Sequence, residues 1–428
     1  MYYNPLPLLI FGTGLYLLFK LRFFFVLHPL RSFGLAINKL KDERTRHSLF
    51  LALAGTLGVG NIFGVAVGII LGGAGSVFWL LFSSLFSSVL KYSEVALAQH
   101  CHDDRRVGPA FTGAIKSAFL RHGSLFSAIY SMCTLILALV MGGAMQSRAA
   151  TGVSAEYFGV PHILVSLVLC TLLFIAVVGG RERISRVTSV IVPLSTVIYL
   201  LISIIAVSKN IDRISEVIAL IFDSAFSADS AAGGILAFLF SSSVREGFSR
   251  GMLSNEAGAG TSSSAHICDK DATPGVSGLM GIIEVFFDTV LLCTLTAFVI
   301  LTSDAYGSSH DGIILVYRSF EASLGSFSGL PLSLSVFIFA YSTVICWYYY
   351  GYEAAHALFG SAGKRLFLPV FIVFCLFGYT LSDFPLVVTT DLTMLVLSCI
   401  CCFTLIKSSD RIKALSEQSG LLKLKKLK

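Results

Sequence analysis

Long apolar stretches recur along the whole chain and are separated by short polar links. A bilayer core needs about 20 apolar residues of α-helix to cross it, and the sequence offers eleven such stretches. Their approximate bounds are 5–26, 48–71, 75–99, 124–147, 162–179, 185–208, 232–264, 277–303, 331–358, 366–382 and 386–407. The pattern predicts an all-α integral membrane protein with eleven transmembrane helices and no inserted soluble domain.

The composition agrees with a membrane protein. Of the 428 residues, 55% are hydrophobic and only 13% are charged, whereas a soluble domain carries about 25% charged residues. Most of the 10 Cys lie inside apolar stretches, where a thiol behaves as a small hydrophobic group, so we expect no disulfide framework. The sequence lacks an HExxH motif, a nucleophile elbow and a P-loop. We therefore expect neither an enzyme nor an ATP-driven pump, and no organic cofactor.

The Lys and Arg residues alternate between the two sides of the predicted membrane. Clusters follow the odd-numbered stretches and fill the C-terminal tail, with Lys91 among them, whereas the other links carry only Arg148, Lys209, Arg213 and Arg318. Cytoplasmic loops are enriched in Lys and Arg, so we expect a multi-pass protein of the cell membrane with its N-terminus outside and its C-terminus in the cytoplasm. The net charge of +6 then reports topology, and no nucleic-acid partner is expected.

Without the first stretch, the remaining ten form two sets of five, and the first member of each set is interrupted by glycine. One interruption is Gly55-Thr56-Leu57-Gly58-Val59-Gly60-Asn61, and the other is Asn255-Glu256-Ala257-Gly258-Ala259-Gly260. Because five is odd, the second set enters from the opposite side, which is the inverted-repeat pattern of secondary transporters. The predicted parts are an extra N-terminal helix with a basic link (1–47), a first five-helix repeat (48–210), a second, inverted five-helix repeat (211–407) and a basic cytoplasmic tail (408–428).

Charged residues inside the apolar stretches are candidates for function, because a charge in the bilayer core costs about 2.5–3.5 kcal/mol on insertion scales. The seventh stretch holds the largest group of them. For Arg245 and Glu246, internal ion pairing and function are equally good interpretations. Asn255 and Glu256 adjoin the glycine break, where unwound backbone exposes N–H groups for a carboxylate and C=O groups for a cation. We therefore interpret these two as functional.

Other intramembrane polar residues have two interpretations each. The glycines of the first break fit a helix-packing face, but Asn61 directly after them favours a break that faces a substrate. Gln146 is either an interhelical hydrogen-bond partner or a ligand. Ser342 and Thr343 either bond back to their own helix or form a cation site. The aromatic run that follows them is then either an interfacial belt or a hydrophobic lid.

Three blocks of sequence, in order along the chain, carry a family resemblance. The first is the run from Gly55 to Ile62, followed later by Lys91-Tyr92-Ser93-Glu94. The second runs from Arg250 to Gly260 and contains Ser-Asn-Glu-Ala-Gly, and the third runs from Ser342 to Gly351. Together they resemble the alanine or glycine:cation symporter family, also called the sodium:alanine symporters.

The resemblance implies a five-plus-five, leucine-transporter-like fold with one extra N-terminal helix. It also implies sodium-coupled uptake of a small neutral amino acid, alanine or glycine above others, with Na⁺ as the coupling ion and no partner subunit required. By resemblance, the amino-acid site comprises Thr56, Gly58, Gly60, Asn61, Gln146, Leu253, Asn255, Glu256, Gly258 and Trp347. By resemblance, the sodium site comprises the carbonyls of Ala54 and Leu57 with the hydroxyls of Ser342 and Thr343, and hard cations prefer such oxygen ligands. The alternatives are a proton-coupled or sodium-independent amino-acid carrier of the same fold and, less favoured, an ion channel.

The alternation of basic residues makes a prediction about topology. A single cysteine introduced near Asn4 should react with an impermeant thiol reagent added outside the cell, and one near Lys425 should react only after the cytoplasmic side is opened. Labelling of the Asn4 cysteine from the cytoplasmic side alone would contradict the prediction.

Overall fold

The computed structural model describes residues 5–102, 107–226, 241–267, 273–419 and 421. Within these ranges all regular secondary structure is helical. The helices are α1 (Leu6–Lys20), α2 (Phe24–Leu27), α3 (Pro29–Lys39), α4 (Glu43–Thr56), α5 (Val65–Gly72), α6 (Gly75–His100), α7 (Thr112–Ala118), α8 (Gly123–Leu137), α9 (Gln146–Phe158), α10 (His162–Val178), α11 (Gly180–Lys209), α12 (Ile214–Ala225), α13 (Ser242–Asn255), α14 (Ser263–His266), α15 (Pro274–Val285), α16 (Thr294–Thr302), α17 (Gly312–Leu324), α18 (Gly329–Phe377), α19 (Asp383–Lys407) and α20 (Ser409–Gln418).

Six helical stretches in the described part of the chain are long and apolar enough to cross a membrane, and a bent helix pair raises the number to seven. This confirms the prediction of an all-α membrane protein, while the count of eleven spans and the repeat stay predictions. The predicted spans 331–358 and 366–382 are joined in α18, which is kinked at Gly360, where φ is 59°. Residues 232–240 of the predicted seventh span lie outside the described residues.

The first predicted break is a bend in the helical chain. Helix α4 begins after Asp42, whose carboxylate accepts a hydrogen bond from the N–H of Thr45 at 2.9 Å, as a helix N-cap does. The helix ends at Thr56 and continues in a π-helical segment, Gly60–Gly64, and then in α5. The two halves differ in direction by 49°. Polar backbone groups are therefore released at residues 57–59.

The second predicted break contains three residues with positive φ in five positions. Helix α13 ends at Asn255, and Glu256, Gly258 and Gly260 follow with φ of 54°, 83° and 74°. Glycine adopts this conformation without cost, whereas a non-glycine residue such as Glu256 takes it only when its surroundings hold it there. The helix resumes only briefly, in α14. This segment of chain is therefore fixed by tertiary contacts.

Three π-helical segments occur in the described chain. They are Gly60–Gly64, Ala138–Met145 between α8 and α9, and Phe286–Cys293 between α15 and α16. A π turn inside an α-helix is uncommon and is frequent at functional sites. All three supply residues to the contacts around the two breaks, which are described below.

Lys91 does not occupy the loop position that the basic alternation gave it. It lies within α6 and is fully buried. It therefore contributes nothing to the loop charge on the predicted cytoplasmic side, and only the other Lys and Arg residues support the predicted topology.

Candidate transport site

A small cavity lies between the two helix breaks. Its lining residues come from the first break, the π segment before α9 and the end of α13, and they are Gly55, Thr56, Gly58, Val59, Gly60, Phe63, Met141, Met145, Gln146, Leu253 and Glu256. Six of the predicted amino-acid-binding residues are therefore together on one cavity, namely Thr56, Gly58, Gly60, Gln146, Leu253 and Glu256. Asn61, Asn255, Gly258 and Trp347 do not line it.

Gln146 spans the distance from its own helix to the first break. Its side-chain oxygen accepts a hydrogen bond from the N–H of Val59 at 3.1 Å, and its amide nitrogen donates to the carbonyl of Met141 at 3.2 Å. Because the helical bonding of α4 ends at the N–H of Leu57, this amide satisfies a donor on Val59 that would otherwise lack a partner in an apolar interior. Gln146 thus stabilises the non-helical conformation of the first break.

The side chain of Asn61 hydrogen-bonds to other residues of the protein and does not line the cavity. Its amide nitrogen donates to the carboxylate of Asp288 at 2.6 Å. The hydroxyl of Ser254 lies within hydrogen-bond distance of both the Asn61 oxygen and the second Asp288 oxygen. All three residues are buried, so this cluster connects the first break, α13 and the π segment Phe286–Cys293.

Asn255 is bonded to the same π segment. Its amide nitrogen donates to the hydroxyl of Thr289 at 2.9 Å, and its oxygen accepts from the N–H of Ala257 at 2.9 Å. Thr289 in turn donates to Asp288 at 2.9 Å. A chain of hydrogen bonds therefore runs from Asn61 through Asp288 and Thr289 to Asn255, and it links one break to the other.

The carboxylate of Glu94, on α6, binds the backbone of the second break. It accepts hydrogen bonds from the N–H groups of Gly258 and Gly260, the latter at 3.1 Å. We expected freed N–H groups here to hold a carboxylate, and the carboxylate they bind is part of the protein. A β-carbon on Gly258 would approach Ile10. In this structure Gly258 therefore forms the turn and does not face the cavity.

Glu256 brings a carboxylate to the cavity wall. One of its oxygens accepts a hydrogen bond from the hydroxyl of Thr261 at 2.6 Å. The other is buried and has no hydrogen-bond partner among the described residues. A buried carboxylate oxygen without a partner is costly, so this atom is available to a positively charged or hydrogen-bond-donating ligand.

The carbonyls of Ala54 and Leu57 lie where helix bonding is interrupted. The N–H of Gly58 donates to Thr56 at 2.7 Å, and the N–H of Asn61 donates to Gly58 at 3.3 Å. Neither N–H reaches the carbonyl four residues earlier, as it would in an α-helix. Both carbonyls are thus free of their usual helical donors.

The hydroxyl of Thr343 faces the same place from α18. A β-carbon built on Gly58 would lie 2.6 Å from this oxygen, so only glycine permits so close an approach. The Thr343 hydroxyl is buried and has no hydrogen-bond partner within the described chain, whereas that of Ser342 donates to the carbonyl of Phe339 at 2.9 Å. A hydroxyl without a hydrogen-bond partner and carbonyls without helical donors are oxygen ligands of the kind that hard cations prefer. The four residues remain a predicted sodium site.

Trp347 packs behind the cavity. It is fully buried, its ring is 5.4 Å from that of Tyr350, and a β-carbon on Gly142 would collide with it. Gly142 belongs to the π segment Ala138–Met145. The tryptophan therefore supports the segment that carries Met141 and ends before Gln146, and its predicted contact with the amino acid stays a prediction.

Buried ionic groups surround the second break. The amine of Lys91 is 3.4 Å from the carboxylate of Glu284 and donates to Ser262 at 2.8 Å, and His266 contacts the other Glu284 oxygen at 2.8 Å. Sequence reasoning missed Glu284, as it missed Asp288. The signal was present, because these two carboxylates lie four residues apart in an apolar stretch.

The charged residues of α13 form ion pairs. Arg250 is 2.9 Å from Asp391 on α19 and 3.4 Å from Glu246, and Arg245 is 3.1 Å from Glu246. Arg250 is buried. The arrangement is the ion pairing considered for Arg245 and Glu246, and it places these residues apart from the cavity lining.

The model of the sodium:alanine symporter family matches residues 1–417. The chain belongs to this family. Among its relatives, the sodium/alanine symporter AgcS of Methanococcus maripaludis is 30% identical, with 89% of this chain and 86% of AgcS covered. The probable sodium/glutamine symporter GlnT of Bacillus subtilis is 29% identical, with 85% of this chain and 76% of GlnT covered.

The transporter also shares its fold with a solved structure. MhsT, crystallised in complex with L-phenylalanine, superimposes with a TM-score of 0.60 at 11% identity, and the match covers 87% of this chain and 98% of MhsT. The resemblance to a leucine-transporter-like, secondary active carrier is confirmed at the level of family and fold.

The bonds of Glu94 make a prediction about stability. A Glu94→Gln substitution leaves one oxygen acceptor for two N–H groups and turns an amide donor toward the second. An unsatisfied buried donor costs about 1–3 kcal/mol, so thermal unfolding in detergent should occur at a lower temperature. Ser88→Ala is a matched control on α6, since it removes only a hydroxyl that donates to Ser84. A loss no larger than that of the control would refute the role of Glu94.

Proposed function

We propose that this transporter is a sodium-coupled symporter of a small neutral amino acid, alanine or glycine, and that it acts in the cell membrane with its N-terminus outside. One observation carries the proposal. Two buried oxygens without hydrogen-bond partners among the described residues, one on Glu256 and one on Thr343, adjoin the first helix break. A sodium-coupled symporter of an amino acid binds a sodium ion and an ammonium group, and these two oxygens fit those two groups.

The sodium ion would bind at Thr343. Its hydroxyl, the hydroxyl of Ser342 and the carbonyls of Ala54 and Leu57 offer four neutral oxygens, in keeping with the oxygen ligands of hard cations. Two features support this choice: the released carbonyls of the break and the unpartnered hydroxyl beside Gly58. The ion would fix the conformation of the break and so shape the cavity for the amino acid.

The amino acid would bind between the breaks. Its ammonium group would pair with the unpartnered oxygen of Glu256, and its carboxylate would take the N–H of Val59 in place of the side chain of Gln146. That N–H already donates to an oxygen at the cavity wall, the side-chain oxygen of Gln146, so a substrate carboxylate could replace this acceptor. Sodium and substrate would then stabilise the same conformation, and by linkage each would raise the affinity for the other by the same factor.

The cavity favours a small apolar side chain. Phe63, Met141, Met145 and Leu253 form much of its wall, and none of them offers a strong hydrogen-bond partner to an amide. A glutamine side chain would leave its amide unsatisfied there, which costs binding free energy. Alanine and glycine bring no such group, so we favour them over the substrate of the GlnT relative.

Proton coupling is the second candidate, and Glu256 is the observation that favours it. A buried carboxylate at the cavity wall can carry a proton in place of a metal ion. The two candidates differ in which gradient drives uptake. A sodium-independent carrier would take up substrate without a sodium gradient. An ion channel would show a flux that does not saturate with substrate.

The deciding experiment is uptake of labelled alanine, glycine, serine, leucine, glutamine and glutamate into proteoliposomes. We expect saturable uptake of alanine and glycine that requires an inward sodium gradient at equal pH on both sides. Leucine, glutamine and glutamate should compete poorly because the cavity is small. Uptake driven by a proton gradient without sodium would favour the second candidate and contradict the first.

The sodium site makes a prediction for Thr343→Ala. The substitution removes one ligand from a buried ion that cannot easily recruit water, so the sodium concentration for half-maximal uptake should rise about tenfold, which corresponds to 1.4 kcal/mol. Ser342→Ala should act in the same direction. Ser335→Ala, on the same helix, removes a hydroxyl that donates to Pro331 at 2.7 Å and should leave sodium dependence unchanged. If Thr343→Ala and Ser342→Ala kept the sodium dependence of Ser335→Ala and of the unmodified protein, the ion would bind elsewhere.

A further inference from the structure

A groove with an entirely apolar lining lies on the side of the helix bundle, between α8 and the kinked helix α18. Its volume is about 330 Å³, within the range of about 300–1,000 Å³ that is typical of ligand pockets. Its lining residues are Leu135 of α8, Leu139 of the π segment that follows, Ala355 and Phe359 of the first half of α18, and five residues between 362 and 370 in the second half. Water finds no polar partners in such a space, so hydrocarbon is the suitable filling.

Two glycines of α18 shape this groove. Gly360, with φ of 59°, turns the chain between the two halves of the helix. Gly363 then lies directly against Ala355, because a β-carbon on Gly363 would collide with the carbonyl of Ala355. The close approach fixes the second half of α18 beside the first. The groove is therefore a built feature of the kink.

The groove is open toward the lipid. Phe359, Leu366 and Val370, which all line it, are 54%, 63% and 43% exposed. In a helix that crosses the bilayer, exposed apolar side chains of this size face acyl chains. The occupant can therefore enter sideways from the membrane.

The groove has the depth of one leaflet. Helix α8 begins at Gly123, and Leu135 lies about 18 Å further along it at 1.5 Å per residue. Val370 lies about 15 Å beyond Gly360 by the same measure. The hydrocarbon core is about 30 Å thick, and the proposed topology places the start of α8 and the kink of α18 on the cytoplasmic side. The groove thus runs from the cytoplasmic surface to about the middle of the membrane.

Basic residues stand at the cytoplasmic end of both walls. Arg365 follows Ala362 of the lining by three residues and is therefore its neighbour on the helix surface. Arg121 lies two residues before α8. Both are exposed, and neither forms an ion pair with a described residue. Their charges are available to an anion at the membrane surface.

We propose that the groove is a binding site for one anionic phospholipid of the cytoplasmic leaflet. One acyl chain would lie in the groove, and the phosphate would take hydrogen bonds from Arg365 and Arg121, since a guanidinium group binds phosphate well. A zwitterionic phospholipid fills the same space, but its positive group meets the two arginines unfavourably. The apolar length of the groove and the charge at its end therefore select together for a lipid with a net negative headgroup.

The bound chain would pack against the back of the transport site. Leu139 belongs to the π segment Ala138–Met145, and Met141 and Met145 of the same segment line the central cavity. One side of this segment therefore faces the groove and another faces the cavity. The inference goes beyond the proposed function, because it concerns a lipid and holds whichever solute is carried.

The test measures lipid retention by the purified, delipidated full-length protein in detergent. Equal amounts of dioleoylphosphatidylglycerol and dioleoylphosphatidylcholine are added, and the bound lipid is identified by native mass spectrometry. The two lipids have the same chains, so a difference reports the headgroup. We expect the first lipid to retain one molecule of phosphatidylglycerol in preference to phosphatidylcholine on the unmodified protein.

The headgroup contacts are tested by Arg365→Gln and Arg121→Gln. Each should lower the affinity for phosphatidylglycerol about fivefold, the factor expected for one basic residue at an anionic lipid surface, and leave phosphatidylcholine unchanged. Lys364→Gln is the matched control, because the amine of Lys364 lies over the ring of Tyr352, 6.0 Å from its centre, and Lys364 does not line the groove. It should keep the preference.

The chain contact is tested by Val370→Trp, which fills the groove and should reduce the retention of both lipids. Val373→Trp is its control, since Val373 is exposed on the same helix and lies outside the lining. Inorganic phosphate should not displace the lipid, because it has no chain.

Three results would overturn the lipid site. The first is an unchanged preference for phosphatidylglycerol in both arginine variants, and the second is equal lipid retention by Val370→Trp and Val373→Trp. The third is displacement of the lipid by inorganic phosphate, which would reduce the site to a surface anion site. A transporter that failed to carry alanine would contradict the proposed function and would leave these three measurements unaffected.

Discussion

The need to satisfy backbone hydrogen bonds in a water-poor interior is the constraint on which this structure depends. A lipid-embedded chain can leave the helical conformation only where other groups of the protein take over the released donors and acceptors. This transporter does so twice. Gln146 accepts from the first break, and Glu94 accepts from two glycines of the second. The breaks are therefore built features whose shape is set by side chains from neighbouring helices.

Among the described residues, more acidic than basic groups are buried around the breaks. Glu94, Glu256, Glu284 and Asp288 are all fully buried there, and the fully buried amine among them belongs to Lys91. Uncompensated buried charge is costly. An added proton, metal ion or ammonium group therefore meets an environment that favours positive charge, which gives a physical reason why a carrier with this core would move cations together with its substrate.

The sequence was sufficient to predict the helical membrane architecture and the two breaks, because glycine and polar residues interrupt otherwise apolar stretches there. It indicated Gln146 as an interhelical hydrogen-bond partner or a ligand, but it could not predict which acidic groups stabilise the breaks. Glu94 was visible only as part of a family motif, and Asp288 lies in an apolar stretch with no glycine beside it. The direction of residues in unwound chain could not be predicted either, because helical periodicity does not apply there. Gly258 is an example, since a β-carbon at this position would point toward Ile10.

The π-helical segment Phe286–Cys293 has a mechanical consequence. A π turn contains an extra residue relative to an α turn, so the irregularity can pass along the helix while almost all of its backbone hydrogen bonds remain formed. Each step shifts the register by one residue and rotates the intervening side chains by about 100° around the helix axis. Asp288 and Thr289, which bind both broken helices, lie in this segment. A register shift here would release both breaks at once, without bending or unfolding the helix that carries them.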